Sequence, residues 1–182
     1  MKSKPQNAHA LWCEARARGM PANSVLLHVR VAEQRLVVWS GGRVRGSYRI
    51  STARKGVGAR EGSHRTPPGW HEVASGIGAG LRRGSVLVSR RFTGEVLPRA
   101  RWRSPNGPER ILTRILWLRG LERGLNRGPG VDSYQRYIYL HGTNEEQWLG
   151  RPASHGCIRL GNDDILALFR RVRGRTTWCW IG

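Results

Sequence analysis

Negative charge is scarce in this chain. Twelve Asp and Glu face 32 Lys and Arg over 182 residues, a formal net charge of +20. Lysine is nearly absent too: Lys2, Lys4 and Lys55 are the only ones, so arginine carries almost all the positive charge. The arginines run through the whole chain instead of gathering in a patch or tail, which argues against a dedicated nucleic-acid-binding segment. They still make the surface attractive to anions. Cysteine is limited to Cys13, Cys157 and Cys179. An odd count at wide spacing is no disulfide framework, and the lack of Cys-x-x-Cys removes the zinc ribbon. No apolar run approaches the roughly 18 residues of a membrane-spanning helix, so an integral membrane segment is excluded. Internal repeats and heptads are missing as well. What remains is enough for one domain with a real core: 38% hydrophobic residues, including eight Trp.

Residues 1–22 read as a polar leader of uncertain structure, and 23–182 as one domain. The segments Ser24–Val31, Arg35–Trp39 and Val44–Ile50 are rich in β-branched residues and separated by tight turns, a β-meander. Residues 52–69 read as a loop ending in Thr66-Pro67-Pro68-Gly69. Short strands are expected at Trp70–Val73, Ser85–Ser89, Tyr137–Leu140 and Thr176–Ile181. Pro98, Pro105 and Pro108 mark 93–110 as an exposed loop. Ile111–Leu118 fits either a helix or a strand by period. One helix is expected late, with Asn162 as its N-cap, Asp163 and Asp164 at its positive end, and Ile165, Leu168, Phe169 and Val172 on one face. The fold class is therefore mostly β with one late α-helix.

The chemistry concentrates in His141-Gly142-Thr143 and, with twelve residues between His141 and Ser154, in Ser154-His155-Gly156-Cys157-Ile158-Arg159-Leu160. A strand delivers His141 to a loop, where it is held as a general base must be. A thiol attacks as thiolate, and a neighbouring imidazole favours that form, so Cys157 is expected ionised beside His141. Gly156 lets backbone approach a substrate carbonyl, and the amides of Gly156 and Cys157 are candidates for an oxyanion hole. Ser154 and His155 add hydrogen-bonding groups, and Arg159 suits a substrate carboxylate. As a metal site, His141, His155 and Cys157 make only three ligands without a matching pair, so no metal and no cofactor is expected. Cys13 and Cys179 read as inert small hydrophobes. His9, His28, His64 and His71 lack a partner pattern and read as structural or surface residues.

At these residues the sequence resembles the L,D-transpeptidase (YkuD-type) catalytic domain: a His-Gly, a spacer, then Ser-His-Gly-Cys-Ile-Arg at 154–159. Tyr48-Arg49-Ile50-Ser51-Thr52 and Thr66-Pro67-Pro68-Gly69-Trp70 are similar to that family's upstream elements, so the resemblance covers about residues 24–173. It implies a β-sandwich-like fold with Cys157 as nucleophile and His141 as base. It further implies that the Gly142 carbonyl orients the imidazole, that Gly156 and Cys157 supply the oxyanion hole, and that Ser154, His155 and Arg159 shape a donor pocket. The implied substrates are peptidoglycan stem peptides or muropeptides. D-Ala leaves a stem tetrapeptide, a thioester forms, and water or an amine resolves it. A catalytic thiol of this kind also implies sensitivity to carbapenems.

As written, the chain begins without a secretory signal and carries no peptidoglycan-binding repeat. In this it is similar to the signal-less L,D-carboxypeptidase-like members, which predicts a cytoplasmic enzyme that trims muropeptides with water as acceptor. A start further upstream would place it in the periplasm. The alternative is an L,D-transpeptidase forming 3→3 crosslinks. The rival from another class, a nucleic-acid-binding module, draws on the +20 charge and the eight Trp and leaves Ser154–Cys157 unexplained; no nucleic-acid partner is expected. The sequence carries no reading of the oligomeric state.

Overall fold

Runs rich in aliphatic and β-branched residues, such as Val25-Leu26-Leu27 and Leu36-Val37-Val38, give the first third of the chain its strands. The computed structural model describes residues 8–103 and 108–182, and within them places ten strands and two α-helices. Strands β1 (Val25–Arg30), β2 (Arg35–Ser40) and β3 (Arg43–Ser51) form the expected antiparallel meander. Then follow β4 (Gly69–Ile77), β5 (Ser85–Val88), β6 (Arg91–Val96), β7 (Ile111–Gly120), β8 (Tyr139–Thr143) and β9 (Ile158–Leu160). The helix at Asn162–Val172 precedes the last strand, β10 (Thr177–Ile181). The order across the sheet is β4-β10-β1-β2-β3-β9-β8-β7-β5-β6, and β4 also pairs with β7. That extra pairing closes eight strands into a ring, with the β5–β6 hairpin attached to the outer half of β7.

One face of the sheet carries Val25, Leu27, Val29, Leu36, Val38, Leu140, Ile158 and Leu160, onto which the late helix lays Ile165, Leu168, Phe169 and Val172. Each such side chain taken out of water contributes roughly 1.5–3 kcal/mol before chain entropy is counted. The opposite face of β1, β2, β4 and β10 presents Leu26, Trp39, Trp70, Trp178 and Trp180.

That second face explains a helix the sequence does not announce. The expectation of a single helix is corrected by α1 (Ala8–Ala17), which makes the late helix α2. Leu11, Trp12 and Ala15 of α1, with Met20 just after it, cover the Trp-rich face. Glu14, Arg16 and Arg18 lie between those apolar positions, and their charges make the segment read as a polar leader. Leu11 is fully buried. Leu11→Ala is therefore expected to cost roughly 2–4 kcal/mol and to lower Tm by about 5–15 °C in a thermal unfolding scan. An unchanged Tm would mean that α1 is dispensable to the domain.

Three further differences have local causes. Ile111–Leu118 resolves as strand β7. Its alternation is broken by a register shift between Leu112 and Ile115, where Thr113 takes φ +70°, so consecutive residues are buried as they would be in a helix. The expected loop 93–110 contains most of β6, an outer strand with hardly a buried side chain and hence no hydrophobic alternation; Pro105 lies outside the described residues. Asn162 is the first helical residue and not the cap, which is Gly161.

Candidate active site

The parallel pairing of β8 with β9 assembles the site. Leu140 lies opposite Ile158, His141 opposite Arg159 and Gly142 opposite Leu160. Side chains alternate along a strand, so Leu140, Ile158 and Leu160 enter the α2-side core while Tyr139, His141, Cys157 and Arg159 share the other face. His141 in β8 and Cys157, the residue just before β9, stand diagonally to one another, a separation that long side chains and rings can span. His141 lies within β8, which continues to Thr143, and not just past a strand end.

The imidazole of His141 is buried, and its Nδ1 lies 2.8 Å from the Gly142 carbonyl. A carbonyl only accepts, so Nδ1 carries the proton and the Nε2 lone pair is left as the base. Gly142 has to be glycine. A Cβ there would meet Asn162 Oδ1 at 2.5 Å and the Leu112 carbonyl at 2.6 Å. Asn162 ties this corner together: its Nδ2 donates to the Thr143 carbonyl (2.8 Å) and to Glu146 Oε1 (2.9 Å), while its Oδ1 accepts from Thr113 Oγ1 (2.6 Å).

The Cys157 turn is built by polar residues at a distance in sequence. Ser154 is buried; its Oγ donates to the Cys157 carbonyl (2.6 Å) and accepts the Gly156 N–H (3.2 Å). Thr66 Oγ1 donates to the Gly156 carbonyl (2.9 Å) and accepts the Ala53 N–H (3.0 Å). The Thr52 carbonyl accepts the N–H groups of Ala153 and Ser154, both at 2.9 Å, and Ser51 Oγ donates to the Arg151 carbonyl at 2.8 Å. The upstream Ser51-Thr52 and Thr66 elements thus act as a scaffold for the turn. The Gly156 amide, a candidate oxyanion donor, is engaged by Ser154 at rest.

Cys157 is half-buried against Leu87, Ile115 and Tyr139. Its Sγ donates to the Tyr137 carbonyl at 3.4 Å. Burial pushes the thiol up to about 12; Glu109 adds to the rise, while a Tyr139 backbone hydrogen bond and the Arg159 and Arg136 charges oppose it. Burial also holds His141 below the ordinary histidine value, against the raising influence of Glu109. Both effects act in favour of the uncharged forms, thiol and neutral imidazole, and so work against the ionised Cys157 that the residue types suggest.

Arg159 is also placed differently from a free substrate clamp. It is 1% exposed. Its Nε and Nη2 pair with Glu109, and its Nη1 lies 2.8 Å from Glu145 Oε2. The second Glu109 oxygen accepts from His155 Nδ1 at 3.1 Å; His155 is itself exposed. Sequence reasoning does not single out Glu109 or Glu145. Glu109 sits in an Arg- and Pro-rich stretch, and the one clue is an acid in a chain with only twelve. Arg136, near the thiol, donates to the Ala59 (2.7 Å) and Arg65 (2.8 Å) carbonyls. Of the remaining histidines and cysteines, His71 is buried between the Gly69 carbonyl and Ser133 Oγ, Cys179 is buried in the core, and Cys13 is exposed. Among the described residues, no three His, Cys, Asp or Glu side chains are grouped to hold a metal ion, and no helix is long and apolar enough to cross a membrane.

The fold is a closed β-sheet that brings a Cys and a His to one face, His141 within β8 and Cys157 just before β9. The sequence profile of the YkuD family, described as the L,D-transpeptidase catalytic domain, matches residues 24–179. The chain belongs to this family. It is 43% identical over 37 residues to the putative L,D-transpeptidase YqjB of Bacillus subtilis (strain 168), a match covering 20% of this chain and 21% of that protein. It is 49% identical over 37 residues to the probable L,D-transpeptidase YbiS of Escherichia coli (strain K12), covering 20% of this chain and 12% of that one. The matched region is thus about a fifth or less of each relative. Among solved structures, L,D-transpeptidase 3 from Mycobacterium tuberculosis superposes with a TM-score of 0.54 at 16% identity, over 87% of this chain and 61% of that one. The L,D-transpeptidase LdtMt1, solved in complex with imipenem, gives 0.51 at 18% identity, over 87% of this chain and 59% of the other. At these identities the superpositions establish the shared fold.

Proposed function

We propose that the protein is a cysteine acyltransferase acting on peptidoglycan stem tetrapeptides, with Cys157 as nucleophile and His141 as base. The observation that carries this reading is the His141 ring, its Nδ1 proton engaged by the Gly142 carbonyl, on the same sheet face as the half-buried Cys157 thiol. His141 Nε2 takes the Sγ proton as sulfur attacks the carbonyl that joins the third stem residue to the terminal D-Ala. The tetrahedral intermediate collapses, the C–N bond breaks, and the departing D-Ala amine takes the proton back from the imidazolium. A thioester remains on Cys157. His141 then deprotonates the acceptor: water yields the tripeptide, which is L,D-carboxypeptidation, and an amine yields a 3→3 crosslink.

Family membership and the imipenem complex of LdtMt1 support a thiol that is open to acylation. The net charge of +20 supports long-range attraction of muropeptides, which carry several carboxylates. The test is incubation of the purified protein with a disaccharide-tetrapeptide, followed by chromatography. Release of D-Ala is expected, and the accompanying tripeptide or crosslinked dimer identifies the acceptor. No D-Ala release under conditions where the protein is folded would overturn the reading.

A further inference from the structure

Glu109 takes no part in the acyl-transfer steps, yet it holds two side chains of the same loop and strand, His155 and Arg159. One carboxylate oxygen takes Arg159 Nε; the other takes both Arg159 Nη2 and His155 Nδ1. Arg159 is buried directly opposite His141 across the β8–β9 pair. A buried guanidinium without a counter-charge beside the base and the thiol would be costly, and Glu109 with Glu145 supplies the balance. The carboxylate stays ionised. Burial acts to raise it, but the Arg159 hydrogen bond and charge and the His155 hydrogen bond bring it below the usual carboxylate range.

We propose that Glu109 is a positioning residue of the site: it ties Arg159, which lies opposite His141 across the β8–β9 pair, to His155, two residues before Cys157, and so fixes a negative charge beside the His141–Cys157 pair. The charged groups acting on the thiol are Glu109, Arg159 and Arg136, with the Tyr139 phenol also near; those acting on the imidazole are Glu109 and Arg159. Glu109 is the negative member of both sets. Its loss leaves Arg159 with Glu145 alone and removes the negative charge that acts on the pair, which favours thiolate at Cys157 and disfavours the proton on His141. Both ionisations move to lower pH together. A purely architectural glutamate would move neither.

The identity of Cys157 and His141 as the working pair rests on the acyl-transfer reading, so the test has one arm that needs no substrate. Full-length wild type, Glu109→Gln and Glu109→Asp are treated with iodoacetamide at pH 8.5, and each cysteine is followed by peptide mass spectrometry. Alkylation proceeds through the thiolate. Cys157 in Glu109→Gln is expected to react roughly 3- to 10-fold faster than in wild type, on the rule of tenfold per pKa unit. Glu109→Asp, which keeps the charge, is expected to stay close to wild type. Cys179 is fully buried in the core and reports unfolding in the same digest. Faster labelling of Cys157 with Cys179 still unreactive supports the proposal. An unchanged or slower Cys157 rate overturns it, and so does Cys157 accelerating together with Cys179, which would make Glu109 a merely structural prop. In the substrate arm, the pH profile of D-Ala release is expected to shift acidward in Glu109→Gln with a lower plateau. A wild type that releases no D-Ala counts against the acyl-transfer reading, while the labelling rates still decide the role of Glu109.

Discussion

Cys157→Ala is expected to lower D-Ala release by on the order of 10⁴-fold or more, to the level of the uncatalysed background, because no other group in the site can form the thioester. The loss should appear in kcat and not in KM, since the change removes the reacting atom and leaves the walls of the site in place. Stability should change by no more than about 1 kcal/mol: Sγ gives up one weak hydrogen bond to the Tyr137 carbonyl, and the side chain is only half-buried. Cys13→Ala and Cys179→Ala serve as controls, and neither should touch turnover. Cys13 is exposed on α1, and Cys179 is buried in the core within strand β10. Residual turnover above roughly one-hundredth of wild type in the Cys157 variant would reject the nucleophile.

The second large effect concerns His141 and the pH dependence. His141→Gln keeps much of the side-chain volume and cannot take the proton, so turnover is expected to fall roughly 10²- to 10⁴-fold. The wild-type profile separates two starting states. Burial holds His141 below 6.5, so the neutral base is lost only as pH falls through that lowered value. The Cys157 thiol is raised to about 12, so it stays protonated well into the alkaline range. A neutral pair therefore predicts kcat/KM that falls only below the ordinary histidine range and stays level through mildly alkaline pH. A preformed thiolate–imidazolium pair of the papain kind would have a thiol near roughly 3–4 and would lose activity as the imidazolium deprotonates at mildly alkaline pH. A decline between about pH 8 and 9 in the wild type would therefore contradict the neutral pair.

The parts of the fold that are legible in the sequence are those whose pattern reflects a single face. The β1–β3 meander and the apolar stripe of α2 are buried on one side and wet or differently packed on the other, and alternation or 3.6-residue spacing records that directly. The pattern fails where another influence is stronger. In β7 the bulge at Thr113 buries consecutive side chains and imitates a helix. In β6 exposure removes the alternation altogether. In α1 the apolar residues cover a Trp surface assembled from β1, β2, β4 and β10, which does not exist until the sheet has formed. The site divides in the same way. Ser154, His155, Gly156 and Cys157 stand together in the chain, and their identities announce the chemistry. Glu109 and Thr66 reach the same turn over 50 and 90 residues, respectively, and only the tertiary structure brings them there. The balance of ionisation is hidden from the sequence for a related reason: residue types suggest an ion pair, while burial of both partners pulls towards the uncharged forms.

The whole mechanism turns on covalent acylation of the Cys157 sulfur. Intact-mass spectrometry of the wild-type protein after brief exposure to imipenem, with peptide mapping of the adduct, tests this without assuming any acceptor. A single added acyl group is predicted on the peptide that contains Cys157, and none on Cys157→Ala. An unmodified wild type, or an adduct carried by Cys13 in its place, would contradict it.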